Sequence, residues 1–321
     1  MHQHLNVVVI GGGSGQSTIL RGLKLIEDIH LTAIVTVADD GGSTGRLRKS
    51  YHIPAMGDIR SVMIALAEEE GLLSTLMSYR FEDVESHNDN ALAGHNLGNL
   101  ILTALTQKTG SFMEAVESIS KVLNVKGDIV PSTHQVVTLL AKMEDGTIVK
   151  GESNIPKARH KITDVFYDVP VSASKEAIHA IEKADVIILG IGSLYTSLCC
   201  NLIIKDISKA LEKSKAYKIY VSNAMTQSGE TENYSMEDHV EALRKHAKFK
   251  LDAVLWAKDH IPQDVLVRYQ KENAEAVKQS QSKHDYVLFS EKLLNFESGR
   301  VRHDPKLIQK FFEKLFRKLA S

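Results

Sequence analysis

Residues 5–15 read LNVVVIGGGSG, and this stretch decides the fold because a continuous apolar run passes directly into a glycine-rich turn. The run Leu5–Ile10 is typical of a strand that is covered on both faces of its sheet. Apolar residues at helical spacing follow in Ser14–Leu25, and Leu31–Val37 is a second strand-like run. Parallel strands need a helical crossover between them, so this order predicts a βαβ unit.

The alternation of helices and strands continues along the chain. Further helices are predicted at Asp58–Glu69, His95–Leu105, Ser111–Leu123, Ser174–Lys183 and Ser197–Lys213. Further strands are predicted at Asp185–Leu189, Lys218–Ser222 and Leu251–Trp256. Between them, the pair Asp145-Gly146 separates two strand-like runs and predicts a hairpin. We therefore predict an α/β fold with a doubly wound, mostly parallel Rossmann-like sheet. The fold is expected as a single domain over residues 1–321, with a β-rich insertion at residues 127–168.

A terminal helix is predicted from its first residues, because Asp304 suits an N-cap and Pro305 suits the first helical position. Its apolar side chains share one face, and its basic side chains lie mostly off that face. This pattern favours a helix packed on the body of the protein, with a membrane-surface or partner helix as the alternative.

Composition bounds the classes of function. The chain has 321 residues, with 39 Lys and Arg against 40 Asp and Glu, so no overall positive field favours nucleic acid. Its two cysteines, Cys199 and Cys200, are adjacent and should point apart, so we expect no disulfide and a reducing, cytoplasmic setting. The first residues lack the pattern of a signal peptide, and Leu5–Ile10 is too short to span a bilayer. We expect no membrane insertion, and a homo-oligomer stays open.

The first glycine-rich turn has the context of a phosphate-binding loop, since it ends a strand and opens a helix. Its candidate ligand-binding residues are Gly12, Gly13, Ser14 and Gly15. The turn is not a Walker A loop, because Gln16 stands where the lysine would be. Gln16 also replaces the third glycine of a dinucleotide fingerprint, so NAD stays an alternative on an imperfect motif. The alternative is that this glycine-rich segment binds no ligand and is only a tight turn between strand and helix.

A second glycine-rich loop, DDGGSTGR, covers Asp39–Arg46 after the second strand. A carboxylate beside a phosphate-binding loop can hold Mg²⁺ or a sugar hydroxyl, so Asp39 and Asp40 are candidate magnesium ligands and, in an enzyme, candidate catalytic residues. A dinucleotide fold places its ribose-binding carboxylate here too, which again keeps NAD open. Arg48, like Arg46, can clamp a diphosphate. The other ligand-binding candidates of this loop are Ser43, Thr44 and Arg46. The alternative is a capped, solvated turn.

Polar residues also cluster at other predicted strand and helix ends. Amide side chains suit recognition of a base or a sugar, His95 suits either a general acid–base or a structural role, and Tyr195 suits stacking on a ring. Asp58 also suits a helix cap. The candidates outside the first two loops are Asp58, Arg60, His95, Asn96, Asn99, Gly192, Ser193, Tyr195, Thr196 and Asn223.

These loops are expected at one edge, because the ligand crevice of an open parallel sheet lies beyond the carboxyl ends of its strands. The sequence contains no Gly-x-Ser-x-Gly elbow, no His-Glu-x-x-His motif and no Cys-x-x-Cys pair. The residues alone therefore predict a crevice for a phosphate-bearing nucleotide and identify no nucleophile.

Taken together, the loops resemble the YvcK/CofD-like family, which contains gluconeogenesis factors and 2-phospho-L-lactate transferases. The segments that carry the resemblance are Asp39–Arg48 above all, then Gly11–Gly15, Gly57–Arg60, Gly94–Leu100, Gly190–Ser197 and Asn223–Thr231. Ile191 departs from the proline that is usual in the family. The similarity is closer to the YvcK branch than to the transferase branch.

The YvcK branch implies a cytoplasmic regulatory protein that binds a UDP-sugar, such as UDP-N-acetylglucosamine, and is required for cell shape during gluconeogenic growth. The transferase branch implies a different activity, the transfer of a phospholactyl group from a guanosine-type diphosphate donor to a deazaflavin, with Mg²⁺. Three hypotheses follow, of which we favour the first: a nucleotide-sugar-binding regulator, a 2-phospho-L-lactate transferase-type enzyme, and an NAD-binding protein.

Overall fold

A seven-stranded parallel sheet forms the centre of the computed structural model, which describes residues 4–69, 71–83, 91–281 and 283–320. In chain order the strands of the protein are β1 Leu5–Gly11, β2 Ile29–Val35, β3 Asp128–Pro131, β4 Leu139–Met143, β5 Ile148–Lys150, β6 Ile162–Tyr167, β7 Val186–Leu189, β8 Tyr217–Val221, β9 Ala253–Ala257, β10 Val287–Glu291, β11 Leu294–Asn295 and β12 Arg302–His303. The order across the central sheet is β10-β9-β8-β7-β1-β2-β3. The chain therefore reverses its direction of travel across the sheet between β1 and β7, the position at which such sheets open a ligand crevice.

Helices connect the strands and cover the sheet. They are α1 Gly13–Leu23, α2 Gly42–Tyr51, α3 Gly57–Leu66, α4 Leu72–Ser78, α5 Leu97–Thr109, α6 Phe112–Val122, α7 Lys175–Lys183, α8 Cys200–Leu202, α9 Lys205–Lys213, α10 Met236–His246, α11 Gln263–Gln270 and α12 Pro305–Leu319. A 3-10 segment at Glu152–Ala158 and a π-helical turn at Leu194–Cys199 complete the helical elements of the described residues.

Alternate residues of β1 point into two different cores. Val7 and Val9 belong to the core on one face of the sheet, whereas Val8 and Ile10 belong to the core on the other face. Because side chains alternate along a strand, the continuous apolar run is what a sheet covered on both faces requires. The predicted doubly wound, Rossmann-like α/β fold is confirmed.

A separate three-stranded sheet, of order β5-β4-β6, carries the predicted hairpin. Strands β4 and β5 pair antiparallel on either side of the Asp145-Gly146 turn, and Leu139, Ala141 and Val165 bury this sheet against the second core. The segment 127–168 also contains β3, which pairs with β2 at the edge of the central sheet. The strands of this segment therefore belong to two sheets: β3 to the central sheet, and β4, β5 and β6 to the small sheet.

Three local differences from the sequence analysis bear on the sheet and its loops. The glycine-rich segment after Asp39 continues into α2, which lacks the apolar periodicity of a helix and was expected as a loop. The predicted helix Ser197–Lys213 is a π-helical turn followed by α8 and α9. Strand β10 at the sheet edge was not predicted, because its residues are exposed or half-buried and form no continuous apolar run.

The terminal helix packs on the body of the protein, as the cap and spacing predict. The Asp304 side chain accepts hydrogen bonds from the backbone N–H groups of Lys306 and Leu307. Phe312 and Phe316 are buried in the first core, and the helix α12 contacts α1. Across the described residues, no helix combines the length and apolar character needed to cross a bilayer.

The contact between α1 and α12 makes a stability prediction. A Cβ atom at Gly22 would lie 2.4 Å from the carbonyl oxygen of Pro305, closer than any real contact. Helix propensity alone would make Gly22→Ala more stable by about 1 kcal/mol. Because the added methyl must push the two helices apart, we expect a net loss of about 1–2 kcal/mol in urea unfolding.

The matched control is Gly71→Ala, since no heavy atom lies within 4 Å of a Cβ placed there. Because Gly71 is the N-cap of α4, where glycine is preferred over alanine, this control should lose at most about 1 kcal/mol, without any displacement of α12. A Gly22→Ala protein more stable than the wild type would contradict the close helix contact.

Candidate functional site

A crevice of about 680 Å³ lies at the carboxyl ends of the central strands. The first and third glycine turns of the sequence face it, together with polar side chains from the loop after β8 and from the C-terminal segment. The predicted residues that line it are Gly12, Gly13, Ser14, Gly15, Asp39, Asp58, Gly192, Ser193, Thr196 and Asn223. A second cavity of similar size lies beside the opposite ends of β1, β2 and β3 and contains none of these residues. We assign the site to the first crevice, where backbone amides and polar groups converge.

The first glycine turn places the start of α1 in the crevice. Gly12 is the N-cap without a side-chain hydrogen bond, and Gly13 has φ of +63°, which glycine adopts readily. A Cβ at Gly15 would lie 2.5 Å from the carbonyl oxygen of Ile191, so the first and third turns touch backbone to backbone. The backbone N–H groups of the turn, of which that of Gly13 is bonded to Asp58, and the positive end of the helix dipole favour an anion at this point.

Gln16 has a structural role that explains the absent lysine. Its side-chain Nε2 donates to the carbonyl oxygens of Val9 and Ile34, each at 2.9 Å, and the residue is fully buried. The amide therefore joins β1 to β2 beneath the turn. A ligand in the crevice does not meet this side chain, so the departure from both standard glycine motifs lies below the binding surface.

Carboxyl groups form one wall of the crevice. Asp58 accepts a hydrogen bond from the backbone N–H of Gly13, and burial together with the charges of Asp39 and Glu152 raises its pKa to about 8. Burial and the charge of Asp39 raise the pKa of Glu152 to about 7. Beneath them, burial and the charge of Glu152 raise the pKa of Glu230 to about 7. Burial and mutual repulsion therefore raise the pKa of each of these three carboxyls.

The two adjacent aspartates point in different directions. Asp39 Oδ1 accepts from the backbone N–H of Gly41 at 2.9 Å, and burial raises the pKa of this crevice-lining carboxyl. Asp40 Oδ1 accepts from the backbone N–H of Ser153 at 2.9 Å, so it ties the loop to the segment after β5. In the described part of the chain, no three His, Cys, Asp or Glu side chains are grouped to hold a metal by themselves. The structure thus places Asp39, and not Asp40, in the crevice wall.

The third glycine turn is held by amide side chains from the loop after β8. Asn223 Nδ2 donates to the carbonyl oxygen of Gly192 at 2.9 Å, and Gln227 Nε2 donates to Ser193 Oγ at 2.8 Å. Tyr195, in contrast, is buried in the second core, where its hydroxyl is 2.7 Å from that of Tyr234. The structure therefore places Tyr195 behind the crevice, because the π-helical turn directs it into the core and not toward a ligand ring.

A buried polar cluster stands behind the second glycine loop. Ser43 Oγ accepts from the backbone N–H of Asn96 at 3.1 Å and from Asn99 Nδ2 at 3.4 Å, and it lies 3.2 Å from His95 Nδ1. Thr44 accepts from Asn99 at 3.3 Å and contacts the Asp39 carboxyl. These predicted candidates join the start of α2 to the start of α5 and do not line the crevice.

The predicted arginines also lie outside the crevice lining. Arg46 donates to the carbonyl oxygen of Ala93 at 2.7 Å, and Arg60 donates to that of Met77 at 3.2 Å. Arg48 is buried and donates to the carbonyl oxygens of Asp39 and Val137, so it braces the loop from below and is not placed to clamp a diphosphate.

The rest of the crevice lining comes from residues outside the predicted candidates, although Ser197 and the polar loop with Thr226 and Gln227 stood out in the sequence. These are Thr18, Arg21, Glu152, Ser197, Tyr269, Val301, Arg302 and His303, with Ala224, Met225, Thr226 and Gln227 from the loop after β8. His303 is 7 % exposed, its Nε2 has no partner among the described residues, and burial lowers its pKa to about 4. The two-residue strand β12 that positions it has no periodicity, so the sequence carries no signal for His303.

Comparisons with known proteins agree with this architecture. The family model described as "2-phospho-L-lactate transferase CofD" matches residues 7–294. A protein of Halalkalibacterium halodurans named "Gluconeogenesis factor" is 48 % identical over 274 residues, which cover 85 % of this chain and 83 % of that protein. A Bacillus subtilis protein of the same name is 42 % identical over 309 residues, covering 95 % of this chain and 96 % of that protein.

A solved structure shows the same fold. The crystal structure of a Bacillus halodurans protein superimposes with a TM-score of 0.90 at 43 % identity, and the match covers 98 % of this chain and 99 % of that one. Sequence family and fold therefore agree over nearly the whole length. The chain belongs to the 2-phospho-L-lactate transferase CofD family.

Proposed function

We propose that the protein is a regulatory protein that binds a nucleotide sugar, with a UDP-sugar such as UDP-N-acetylglucosamine as its ligand. The observation that carries the proposal is the backbone contact between the first and third glycine turns, which sets the start of α1 beside Gly192 and Ser193. A diphosphate suits this position because backbone N–H groups and a helix N-terminus stabilise phosphate oxygens. The crevice volume of about 680 Å³ lies in the range of small-molecule sites.

The remaining wall suits the other parts of such a ligand. Carboxylates and amides, such as those of Asp39 and Asn223, hydrogen-bond sugar hydroxyls. Tyr269 offers an aromatic ring, and Arg302 adds a positive charge to the lining. The named relatives are gluconeogenesis factors. We infer a role of the same kind for this chain in a cytoplasmic setting, through support of cell shape during growth on gluconeogenic carbon sources.

A second candidate is a transferase of the 2-phospho-L-lactate type, which the name of the family model favours. Mg²⁺ commonly binds through one or two carboxylates together with substrate phosphates, so Asp39 and Asp58 would hold it when a diphosphate donor is bound. Magnesium would neutralise charge that develops on the leaving phosphate. The raised pKa values of the wall fit this arrangement, because crowded carboxyls accept either a proton or a cation.

The binding proposal predicts the behaviour of a glycine pair. Gly13→Ala should weaken UDP-N-acetylglucosamine binding at least about ten-fold in calorimetry, because a side chain disfavours the positive φ that aims the N–H groups. Gly146→Ala is the matched control, since Gly146 has φ of +86° with open space around its Cβ, in the hairpin away from the crevice. Equal affinity in the two variants would contradict the placement of the diphosphate. The dinucleotide hypothesis is tested separately, with NAD as a ligand that competes with the UDP-sugar.

The carboxyl wall predicts a pH dependence of binding. Asp58 is protonated below its pKa of about 8 and negative above it, so ionisation repels a diphosphate. In buffer with a chelator, affinity for UDP-N-acetylglucosamine should fall as the pH rises from about 6.5 to about 8.5. Asp58→Asn should make the profile shallower, with Glu152 contributing the remainder, and a wild-type affinity that does not change with pH would contradict this role.

The transferase candidate is tested directly by incubating the full chain with a guanosine-diphosphate-linked phospholactate donor, a deazaflavin acceptor and Mg²⁺. Formation of phospholactyl-deazaflavin that is lost in Asp39→Asn would favour the transferase. No product above the protein-free control, in a preparation that binds the UDP-sugar, would favour the regulatory protein.

A further inference from the structure

A cluster of positive groups lies next to the crevice and is not explained by the nucleotide. Two short backbone stretches run antiparallel there, with Arg80 bridged to Asn96. Arg80 Nη1 donates to the carbonyl oxygen of Gly94, and Arg46 Nη2 donates to that of Ala93, each at 2.7 Å. The two exposed guanidiniums therefore hold the same turn from two different elements and come close together.

Arg46 and Arg80 both act on the pKa of a neighbouring group. Burial lowers the pKa of His95, and the positive charges of Arg46 and Arg80 lower it further. Burial also lowers the pKa of Arg60, and the charge of Arg80 lowers it further, whereas the charges of Asp58 and Asp39 raise it. Ser43, which contacts His95, is followed by Thr44, which contacts the carboxyl of the crevice-lining Asp39, so the positive cluster adjoins the crevice.

The cluster lacks an opposite charge within the described part of the chain. No described carboxylate lies within ion-pair distance of Arg46, Arg60 or Arg80, although the chain has 40 acidic residues. Among the described residues, the buried Nε of Arg60 has no hydrogen-bond partner. The exposed guanidiniums of Arg46 and Arg80 each have donors beyond the one that is bonded to a carbonyl group, so they can bind an anion.

The hydrogen bonds of Ser43 also fix a donor at His95. Ser43 Oγ accepts from the backbone N–H of Asn96 and from Asn99 Nδ2, which uses both of its lone pairs. Its hydroxyl proton is then free to donate to His95 Nδ1 at 3.2 Å. This arrangement leaves the proton of the neutral imidazole on Nε2, where it can donate to a ligand.

We propose that Arg46, Arg80 and the Nε2–H of His95 form an anion subsite beside the crevice, which takes a phosphate or carboxylate group. Guanidiniums fork onto the oxygens of such groups with charge-assisted hydrogen bonds. The subsite gives the protein a second point of recognition, either for a separate anionic ligand or for a distal anionic group of a molecule that occupies the crevice. It does not depend on the identity of the nucleotide.

The test is a calorimetric titration of the full chain with inorganic phosphate at low ionic strength. Arg80→Gln should raise the apparent Kd for phosphate at least about five-fold, since it removes one fork while keeping an amide that can donate to Gly94. Arg80→Lys should restore part of the loss, because it keeps the charge without the fork. Arg317→Gln, on the exposed side of α12, is the control and should leave phosphate binding unchanged.

Repeating the titration with saturating UDP-N-acetylglucosamine distinguishes the two sources of the anion. If the phosphate binding that depends on Arg80 is undiminished, a separate ligand is supported; if the UDP-sugar abolishes it, the distal group of the crevice ligand is supported. Absence of phosphate binding by the wild type, or the same affinity in Arg80→Gln, overturns the subsite. A protein that binds phosphate through Arg80 but gives no heat with the UDP-sugar would refute the proposed nucleotide and leave the subsite supported.

Discussion

The crevice depends on one backbone contact, the approach of Gly15 in α1 to the carbonyl oxygen of Ile191. Any side chain at Gly15 would fall 2.5 Å from that oxygen, so the first and third glycine turns meet only because glycine stands there. The contact joins the end of β1 to the end of β7, the two strands between which the chain reverses across the sheet. Asn223, in the loop after β8, then holds Gly192, so the crevice is built outward from this contact.

Within the crevice, the carboxyl wall opposes the anion-binding turn. Asp58 already accepts a hydrogen bond from Gly13, one of the backbone donors that a phosphate would use. A diphosphate must therefore share this position with a protonated carboxyl or with a cation. The pKa values of about 8 for Asp58 and about 7 for Glu152 place that choice near neutral pH. The same wall is compatible with both candidate functions. In a regulator a protonated carboxyl would lie beside the diphosphate, and in a transferase Mg²⁺ would lie between the carboxylates and the diphosphate.

The fold and half of the site could be predicted because they follow local rules. A continuous apolar run before Gly11 predicts a doubly covered strand, and glycine turns at strand ends predict a crevice. The orientation of side chains could not be predicted in this way. Tyr195 points into the core because its turn is π-helical, and Arg48 points beneath the loop because three carbonyl groups receive it there. Glu152 and His303 reach the crevice through tertiary packing alone, from segments without any motif.

The central claim is that the diphosphate of a nucleotide sugar binds where the two glycine turns meet. A crystal structure of the protein with UDP-N-acetylglucosamine tests this claim most directly. The account predicts diphosphate oxygens at about 3 Å from the backbone N–H groups at the start of α1, beside Gly192 and Ser193. A UDP-sugar bound instead in the second cavity, beside the opposite ends of β1, β2 and β3, would contradict it.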